Sequence, residues 1–333
     1  MAEALLELKN LKTSFRIKDD YFAAVDDVTL TVNRHEVLAV VGESGCGKSA
    51  LAYSIMNLHT RAVVEGNVEL KGENVNEATP QRLTQLRGKE MGMIFQDSLS
   101  ALNPLIKIGE QIGEVIYLHD KRISKSALKS RVMELLKKVG IHDTGTVYMQ
   151  YPHQLSGGMR QRIVIAMAIA NSPDLLIADE PTTALDVTIQ AQILDLIREL
   201  RDDLDAGVIL ITHDLGVVAE MADRVAVMYA GQVIEIGSVY QVMENPQHPY
   251  TRSLLKSMPS TITSKDDDLH AIEGVVPSLP LIPRAGCRFK SRIPWIAETD
   301  HEEDPQLREI EPGHFVRCTC YKNFYFKESG EAQ

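Results

Sequence analysis

The sequence predicts an α/β protein with a parallel-sheet core, an N-terminal antiparallel β subdomain, an inserted α-helical subdomain and a loop-rich C-terminal extension. Residues 5–32 alternate between apolar and polar side chains, which is typical of half-buried antiparallel strands. Continuous apolar runs such as Val37–Val41 are typical of strands buried on both faces of a parallel sheet. Between residues 97 and 154 the apolar spacing becomes helical, which indicates an insertion.

Composition narrows the class of protein. A length of 333 residues predicts about two domains, which we place at residues 1–259 and 260–333. The net charge of −11 disfavours nucleic acid as the main partner. No apolar run approaches the roughly 18–20 residues that span a bilayer, and the acidic N-terminus is unlike a secretory signal. We therefore expect a cytoplasmic chain that reaches a membrane only through partners. Four cysteines are too few for a disulfide scaffold.

The first strands contain three aromatic residues ahead of the glycine-rich segment. Phe15, Tyr21 and Phe22 fit ordinary packing on a pleated surface, or a platform on which adenine stacks. Asp26 and Asp27 predict the turn between the two strands.

A phosphate-binding loop follows the buried strand Val37–Val41. Residues 42–49 match G-x-x-x-x-G-K-S, with a strand before and a predicted helix at residues 50–58 after. Glycines let backbone N–H groups surround phosphates, and the helix N-terminus adds partial positive charge. Lys48 is expected to reach the β- and γ-phosphates, and the Ser49 hydroxyl to ligate magnesium. The predicted nucleotide contacts are Phe15, Gly42, Glu43, Ser44, Gly45, Cys46, Gly47, Lys48, Ser49 and Ala50. Cys46 fits there as a small residue, with a redox role as the alternative.

Gln96 ends an apolar strand at residues 91–95 and leads into the helical insertion. At such a junction the side chain is either a solvated strand end or a contact between magnesium and a moving lobe.

Residues 155–162 read Leu-Ser-Gly-Gly-Met-Arg-Gln-Arg and precede a predicted helix at residues 160–170. Ser156 can cap that helix, and Gly157 and Gly158 leave its N-terminal amides bare. The segment alone predicts either a capped helix start or a second anion site.

Paired carboxylates end the next buried strand. Asp179 and Glu180 follow an apolar run and therefore lie at the edge where α/β sheets bind ligands. Asp179 can position magnesium, and Glu180 can polarise an attacking water molecule. His213, at the end of the following strand, can hydrogen-bond the γ-phosphate.

Taken in chain order, six segments resemble the ATP-binding cassette (ABC) ATPases. They are the phosphate loop at residues 42–49, Gln96, the signature at residues 155–162, the Asp-Glu pair at residues 179–180, the Ala-Leu-Asp loop at residues 184–186 and the switch His213.

The resemblance implies a role for each segment. ATP and Mg²⁺ are the expected cofactors, with magnesium at Ser49, Gln96 and Asp179. Lys48, Gln96, Glu180 and His213 form the expected catalytic set. Ser156, Gly157, Gly158 and Gln161 are expected to act on a nucleotide bound by a neighbouring subunit. Asp186 lies in the expected subunit-interface loop.

Three further stretches resemble the ATP-binding subunits of oligopeptide and dipeptide importers. They are Met-Ile-Phe-Gln-Asp at residues 93–97 with Ala-Leu-Asn-Pro at 101–104, Tyr-Pro-His-Gln before the signature, and Asn-Pro-Gln-His-Pro-Tyr-Thr-Arg at residues 245–252. Gly-Cys-Arg-Phe at residues 286–289 is also similar. The subfamily includes nickel importers, so a nickel or other small-solute importer is the alternative.

Many members of that subfamily carry four tail cysteines that hold an iron–sulfur cluster. Here Ile293 and Asp300 occupy two of those positions, which favours a metal-free tail. The remaining cysteines are Cys287, Cys318 and Cys320. Together with His301 or His314, they form an alternative metal site.

The resemblance also implies an assembly on the cytoplasmic face of the membrane. The expected partners are a second ATPase subunit, two transmembrane permeases and an extracytoplasmic peptide-binding protein. We expect the second ATPase subunit to be a paralogue of this chain. The rival is a soluble ABC protein acting on nucleic acid or ribosomes. Against it, Lys48 and Ser156 are only 108 residues apart, without coiled-coil heptads, and the chain has one cassette. A scaffold that binds ATP without turnover is disfavoured by the complete catalytic set.

Overall fold

A computed structural model describes residues 4–183, 185–257 and 274–326. The strands are β1 (Ala4–Ile17), β2 (Asp20–Asn33), β3 (Val37–Val41), β4 (Ala62–Leu70), β5 (Glu73–Asn74), β6 (Met91–Ile94), β7 (Leu175–Asp179), β8 (Gly207–Ile211), β9 (Arg224–Tyr229), β10 (Gln232–Ser238), β11 (Leu307–Glu311) and β12 (His314–Arg317). The helices are α1 (Lys48–Ile55), α2 (Pro80–Gln85), α3 (Ser98–Ala101), α4 (Ile108–His119), α5 (Lys125–Lys138), α6 (Thr144–Met149), α7 (Gly157–Ala168), α8 (Val187–Leu204), α9 (Leu215–Met221), α10 (Val239–Glu244) and α11 (Pro249–Lys256).

The N-terminal strands form an antiparallel sheet in the order β2-β1-β4-β5, as the alternating pattern predicted. The turn predicted at Asp26 and Asp27 is wrong, because both residues lie inside β2. The chain instead reverses between Ile17 and Asp20. The β1–β2 register shifts on both sides of the pair that Leu11 makes with Val28, and Asp27 has a φ of 53°. The acidic pair therefore marks an irregularity within a strand, where Asx residues tolerate left-handed backbone.

The second sheet has eight strands in the order β11-β12-β10-β9-β3-β8-β7-β6. Strands β9, β3, β8, β7 and β6 are parallel, which confirms the predicted core. Strands β9 and β10 form the predicted hairpin. All five residues of β3 are buried, since helices and the other sheet cover both faces.

The C-terminal extension is less irregular than the sequence indicated. Strands β11 and β12 pair with each other, and β12 continues the main sheet by pairing with β10. The polar stretch at residues 264–268 lies outside the described residues, so its predicted loop character stays a prediction. These two tail strands therefore belong to the same sheet as β3, the strand that leads into the phosphate loop.

Helices α3–α6 form the inserted subdomain between β6 and α7. Its core contains Ile112, Ile116, Val132 and Leu136, which are fully buried and follow the predicted helical spacing. Helices α1 and α7 begin two and three residues earlier than expected, at Lys48 and Gly157. None of the helices within residues 4–183, 185–257 and 274–326 combines the length and the apolarity needed to cross a membrane.

The carboxyl ends of the parallel strands lie at one edge of the main sheet. Strands β3, β6, β7 and β8 end there and lead into the phosphate loop, Gln96, Glu180 and His213. In α/β sheets this edge is where ligands bind, so the fold brings together segments that are far apart in sequence.

Candidate nucleotide site

The phosphate loop connects β3 to α1 and encloses the Lys48 ammonium group. Lys48 Nζ donates to the carbonyl oxygens of Gly42 at 2.7 Å and Glu43 at 3.1 Å. Gly47 has a φ of 107°, and a Cβ there would lie 2.4 Å from the Ala24 carbonyl oxygen. Only glycine fits that position, because both the backbone conformation and the space exclude a side chain.

Cys46 lies inside the phosphate loop with its side chain buried. Burial raises the pKa of the Cys46 thiol, because the thiolate would lose hydration. A neutral, enclosed thiol is poorly reactive, so the structure favours the packing role of Cys46 over the redox role.

Asp179 and Ser49 form one side of the site. Ser49 Oγ donates to Asp179 Oδ1 at 3.2 Å, and Asp179 Oδ2 is buried without a hydrogen-bond partner. Burial is the largest cause that raises the pKa of Asp179. An orphaned carboxylate oxygen beside a hydroxyl is a donor set that suits a hard cation, so these residues fit Mg²⁺.

Glu180 connects three of the predicted motifs. Its Oε2 accepts hydrogen bonds from Gln96 Nε2 and Thr183 Oγ1, both at 2.9 Å. His213 Nδ1 lies 3.5 Å from Glu180 Oε1. Glu180 has a φ of 46°, a strained conformation of the kind that concentrates at functional sites. The structure thus places the ends of β6, β7 and β8 around one carboxylate.

We define the nucleotide cleft as the opening lined by Gly45, Lys48, Ser49, Gln96 and Glu180. These residues come from the phosphate loop and from the ends of β6 and β7. The cleft therefore contains most of the predicted phosphate and magnesium contacts.

Phe15 contacts His59, which in turn contacts Ala50 just after the phosphate loop. The Phe15 ring meets His59 edge-on with 5.1 Å between centroids, and His59 Nε2 lies 3.0 Å from the Ala50 carbonyl oxygen. Phe22 instead packs under Arg284, with the guanidinium 5.3 Å from the ring centroid. Neither ring lines the nucleotide cleft, so the role of Phe15 as the adenine platform stays a prediction.

The signature segment lies outside the nucleotide cleft of the same chain. Ser156 Oγ accepts the Met159 N–H at 3.3 Å, which confirms the helix cap. Gly158 packs against α8, where a Cβ would lie 2.8 Å from Ile189 Cγ2. Asp186 Oδ1 caps α8 by accepting the Ile189 N–H at 3.0 Å. Ala184, the first residue of the predicted interface loop, lies outside the described residues.

Gln161 occupies a different position from the other predicted signature residues. Its side chain is 3% exposed, and Nε2 is buried without a partner. A buried side chain does not reach a nucleotide on another subunit, so Gln161 fits support of the loop better than direct contact.

Sequence reasoning missed two contacts that residues far along the chain make with the phosphate loop. Arg292 Nη1 donates to Glu43 Oε2 at 2.6 Å, and the Tyr250 hydroxyl accepts the Glu43 N–H at 2.8 Å. Leu279 and Ile282 also line the cleft. Arg292 lies 249 residues from Glu43, and no local spacing signals such a pair.

The structure brings together the three tail cysteines and one of the two candidate histidines. We call this group the tail cluster, and it consists of Cys287, His301, Cys318 and Cys320. Their ligand atoms all lie within 4.8 Å of one another. His314 is engaged elsewhere, since its Nε2 lies 2.8 Å from Glu235 Oε1 in the core.

Comparison with known proteins agrees with this geometry. The family model described as ABC transporter matches residues 25–183, and the one described as oligopeptide/dipeptide transporter, C-terminal region, matches residues 234–295. The oligopeptide transport ATP-binding protein OppD of Lactococcus lactis subsp. cremoris is 52% identical over 98% of this chain and 97% of that protein. The chain belongs to the ABC transporter ATP-binding proteins.

Other ABC relatives support the same membership. OppD of Bacillus subtilis is 47% identical over 94% of this chain and 88% of that protein. The dipeptide transport ATP-binding protein DppD of Lactococcus lactis subsp. cremoris is 45% identical over 95% of this chain and 90% of that protein.

A solved ABC cassette has the same fold over most of this chain. The dimeric, post-hydrolysis state of the ATP-binding cassette MJ0796 with ADP and Pi aligns with a TM-score of 0.64 at 28% identity. The alignment covers 70% of this chain and 98% of that one. The remainder of this chain therefore extends beyond a minimal cassette.

Proposed function

We propose that this chain is the ATP-hydrolysing subunit of an ABC importer for oligopeptides or dipeptides. The observation that carries the proposal is the convergence of Gln96, Glu180 and His213 beside Lys48, in a chain whose tail matches the peptide-transporter C-terminal region. Relatives named for oligopeptide and dipeptide transport support the substrate class.

ATP hydrolysis follows from positioning and charge. Lys48 and the phosphate-loop N–H groups bind the β- and γ-phosphates; Ser49 and Asp179 would hold Mg²⁺, which would supply positive charge against the phosphates. Glu180 orients the attacking water and accepts its proton, while His213 donates to the γ-phosphate. Gln96 donates a hydrogen bond to Glu180, so its position depends on whether the γ-phosphate and the attacking water are bound. Electrostatic stabilisation and orientation supply most of the rate in phosphoryl transfer.

The signature segment acts on a second subunit. Ser156 and Gly158 lie at the N-terminus of α7, away from the chain's own cleft. A helix N-terminus binds anions, so this one completes the site around a neighbour's nucleotide. The second ATPase subunit, in our proposal a paralogue, is therefore required for full activity.

The inserted subdomain contacts the membrane partners. Large apolar side chains are exposed on or beside it, with Leu99 at 60%, Leu105 at 83% and Met149 at 54% exposure. A contiguous exposed apolar patch marks a protein-binding surface, and these side chains are the candidates for one here. Leu99 and Leu105 follow closely after Gln96, so a permease bound there would respond to the state of the cleft. The assembly then contains two permeases and an extracytoplasmic peptide-binding protein, with this chain peripheral on the cytoplasmic face.

The test is reconstitution of the complete importer in lipid nanodiscs. ATP hydrolysis is measured with the binding protein empty, loaded with peptides of increasing length, or exposed to Ni²⁺. Stimulation by loaded peptide, abolished by Glu180→Gln, is the expected result. Stimulation by Ni²⁺ alone, or failure of this chain to co-purify with multi-span proteins, would contradict the proposal.

A further inference from the structure

The tail cluster brings together four metal-binding side chains from separate parts of the extension. Cys287 precedes a short 3-10 helix, His301 follows another, and Cys318 and Cys320 follow β12. All three cysteines are free and buried, at 7% exposure or less. Cysteines bind a metal ion as thiolates, so three sulfurs brought together beside an imidazole form a ligand set for a cation.

His301 supplies an independent observation. Both of its ring nitrogens are buried, and neither has a hydrogen-bond partner. A buried polar group without a partner costs about 1–3 kcal/mol, so an imidazole with two such atoms is unusual. One of these atoms lies within 4.8 Å of the three cysteine sulfurs, which is the placement expected of a ligand.

The backbone at one of the cysteines is unusual. Cys318 has a φ of 69°, and strained backbone of this kind concentrates at ligand-binding positions.

We propose that the tail cluster binds one tetrahedrally coordinated Zn²⁺ ion. Zinc bonds of about 2.3 Å to sulfur and about 2.0 Å to nitrogen place two ligands of one tetrahedral ion about 3.5–3.8 Å apart. The ligand atoms of the tail cluster all lie within 4.8 Å of one another, which is close to that separation. Three thiolates and an imidazole form one of the common ligand sets of structural zinc.

The iron–sulfur cluster implied by the family resemblance does not fit. A four-iron cluster is held by four cysteines, each bound to a different iron, so its ligand atoms are more widely spaced than those of one ion. Ile293, which stands at one expected cysteine position, is a buried apolar residue. Asp300 stands at the other, and its Oδ1 accepts a hydrogen bond from Asn323 Nδ2 at 2.7 Å. The ligand comes instead from the following residue, His301.

The ion would hold in place the tail segment that contacts the phosphate loop. In that segment Arg288, directly after Cys287, forms an ion pair with Asp26, and Arg292 forms one with Glu43. Zinc would join this segment to the end of β12 and so to the main sheet. We therefore expect the ion to stabilise the tail against the cassette, independently of what the importer carries.

The test is metal analysis of the full chain purified from cells grown with zinc and iron. About one zinc per chain, without acid-labile sulfide, is the expected content. Replacement by Co²⁺ should give intense visible d–d bands and a thiolate-to-cobalt charge-transfer band. Cys318→Ser and His301→Ala should reduce zinc content and affinity, whereas His142→Ala, an exposed histidine elsewhere, should leave both unchanged.

His301→Cys keeps the proposal testable if other variants fold poorly. It should retain the ion and strengthen the cobalt charge-transfer band, since four thiolates replace three. Three results overturn the proposal: iron with acid-labile sulfide, reduced cysteines without metal, or a disulfide within the tail cluster. None of these outcomes depends on transport, so they can be separated from failure of the proposed function.

Discussion

The nucleotide cleft and the tail cluster both bring polar side chains together from distant parts of the chain, yet they are assembled in different ways. In the cleft, Ser49 bonds Asp179 and Gln96 bonds Glu180, so most polar groups satisfy one another. In the tail cluster, both nitrogens of His301 lack partners. The cleft is thus held mainly by its own hydrogen bonds, apart from Asp179 Oδ2, whereas the tail cluster has unpartnered atoms that our proposal assigns to a bound ion.

The two regions are joined by the Arg292–Glu43 ion pair. Arg292 extends from the tail segment, and Glu43 belongs to the phosphate loop. The guanidinium also lies 5.8 Å from the ring centroid of Tyr229 and 5.6 Å from that of Phe289. The difference between the regions therefore predicts different effects of mutation: loss of rate in the cleft, and loss of stability and of loop position in the tail.

The largest effect is expected for Glu180→Gln. Removing a group that takes a proton in the transition state lowers the rate by about 10²–10⁴-fold. The amide keeps the size of the side chain, so ATP binding should be retained. Steady-state hydrolysis and equilibrium nucleotide binding on the assembled importer measure the two effects. Thr183→Ala, which removes only one hydrogen bond to Glu180, is the matched control and should cost far less. Near-normal turnover by Glu180→Gln would remove that residue from its role.

The sequence predicted the cleft better than the tail for a physical reason. Cleft residues follow consecutive buried strands, and parallel strands place their carboxyl ends at one edge, so Lys48, Glu180 and His213 could be grouped without coordinates. The tail cluster depends on how loops between Cys287 and Cys320 close, and no periodic pattern encodes that. Alignment to an expected cysteine indicated Asp300, although the neighbouring His301 faces the sulfurs.

An intermediate effect is expected for Arg292→Met. Arg292 is buried and Glu43 is partly exposed, so removing Arg292 leaves a partly buried carboxylate without its partner and should lower the free energy of unfolding by about 1–3 kcal/mol. Urea unfolding should show this loss, and KM for ATP should rise more than kcat falls, since Glu43 positions the loop rather than reacting. Lys290→Met breaks the exposed pair with Glu298 in the same segment and should cost far less, because water screens exposed charges. Equal losses for the two variants would show that the tail does not position the phosphate loop.

The smallest expected effect is a gain in stability, and it is predicted for Asp179→Asn. Burial raises the pKa of Asp179, so in the absence of a cation the ionised carboxylate is less stable in the folded chain than in the unfolded one. This penalty is complete above the raised pKa and disappears as pH falls below the ordinary aspartate value of about 3.9. At neutral pH, Asp179→Asn should therefore raise the free energy of unfolding of the nucleotide-free chain slightly.

The same substitution should abolish the further stabilisation that Mg²⁺ and ATP give the unsubstituted protein. Urea denaturation at neutral and acidic pH, with and without Mg²⁺ and ATP, separates the two effects. A gain in stability combined with loss of magnesium response would show that Asp179 is kept for binding at the expense of stability. A loss of stability in the nucleotide-free variant would instead show that the hydrogen bond between Ser49 and Asp179 stabilises the fold. The cleft would then resemble the tail, because its polar groups would be required for stability as well.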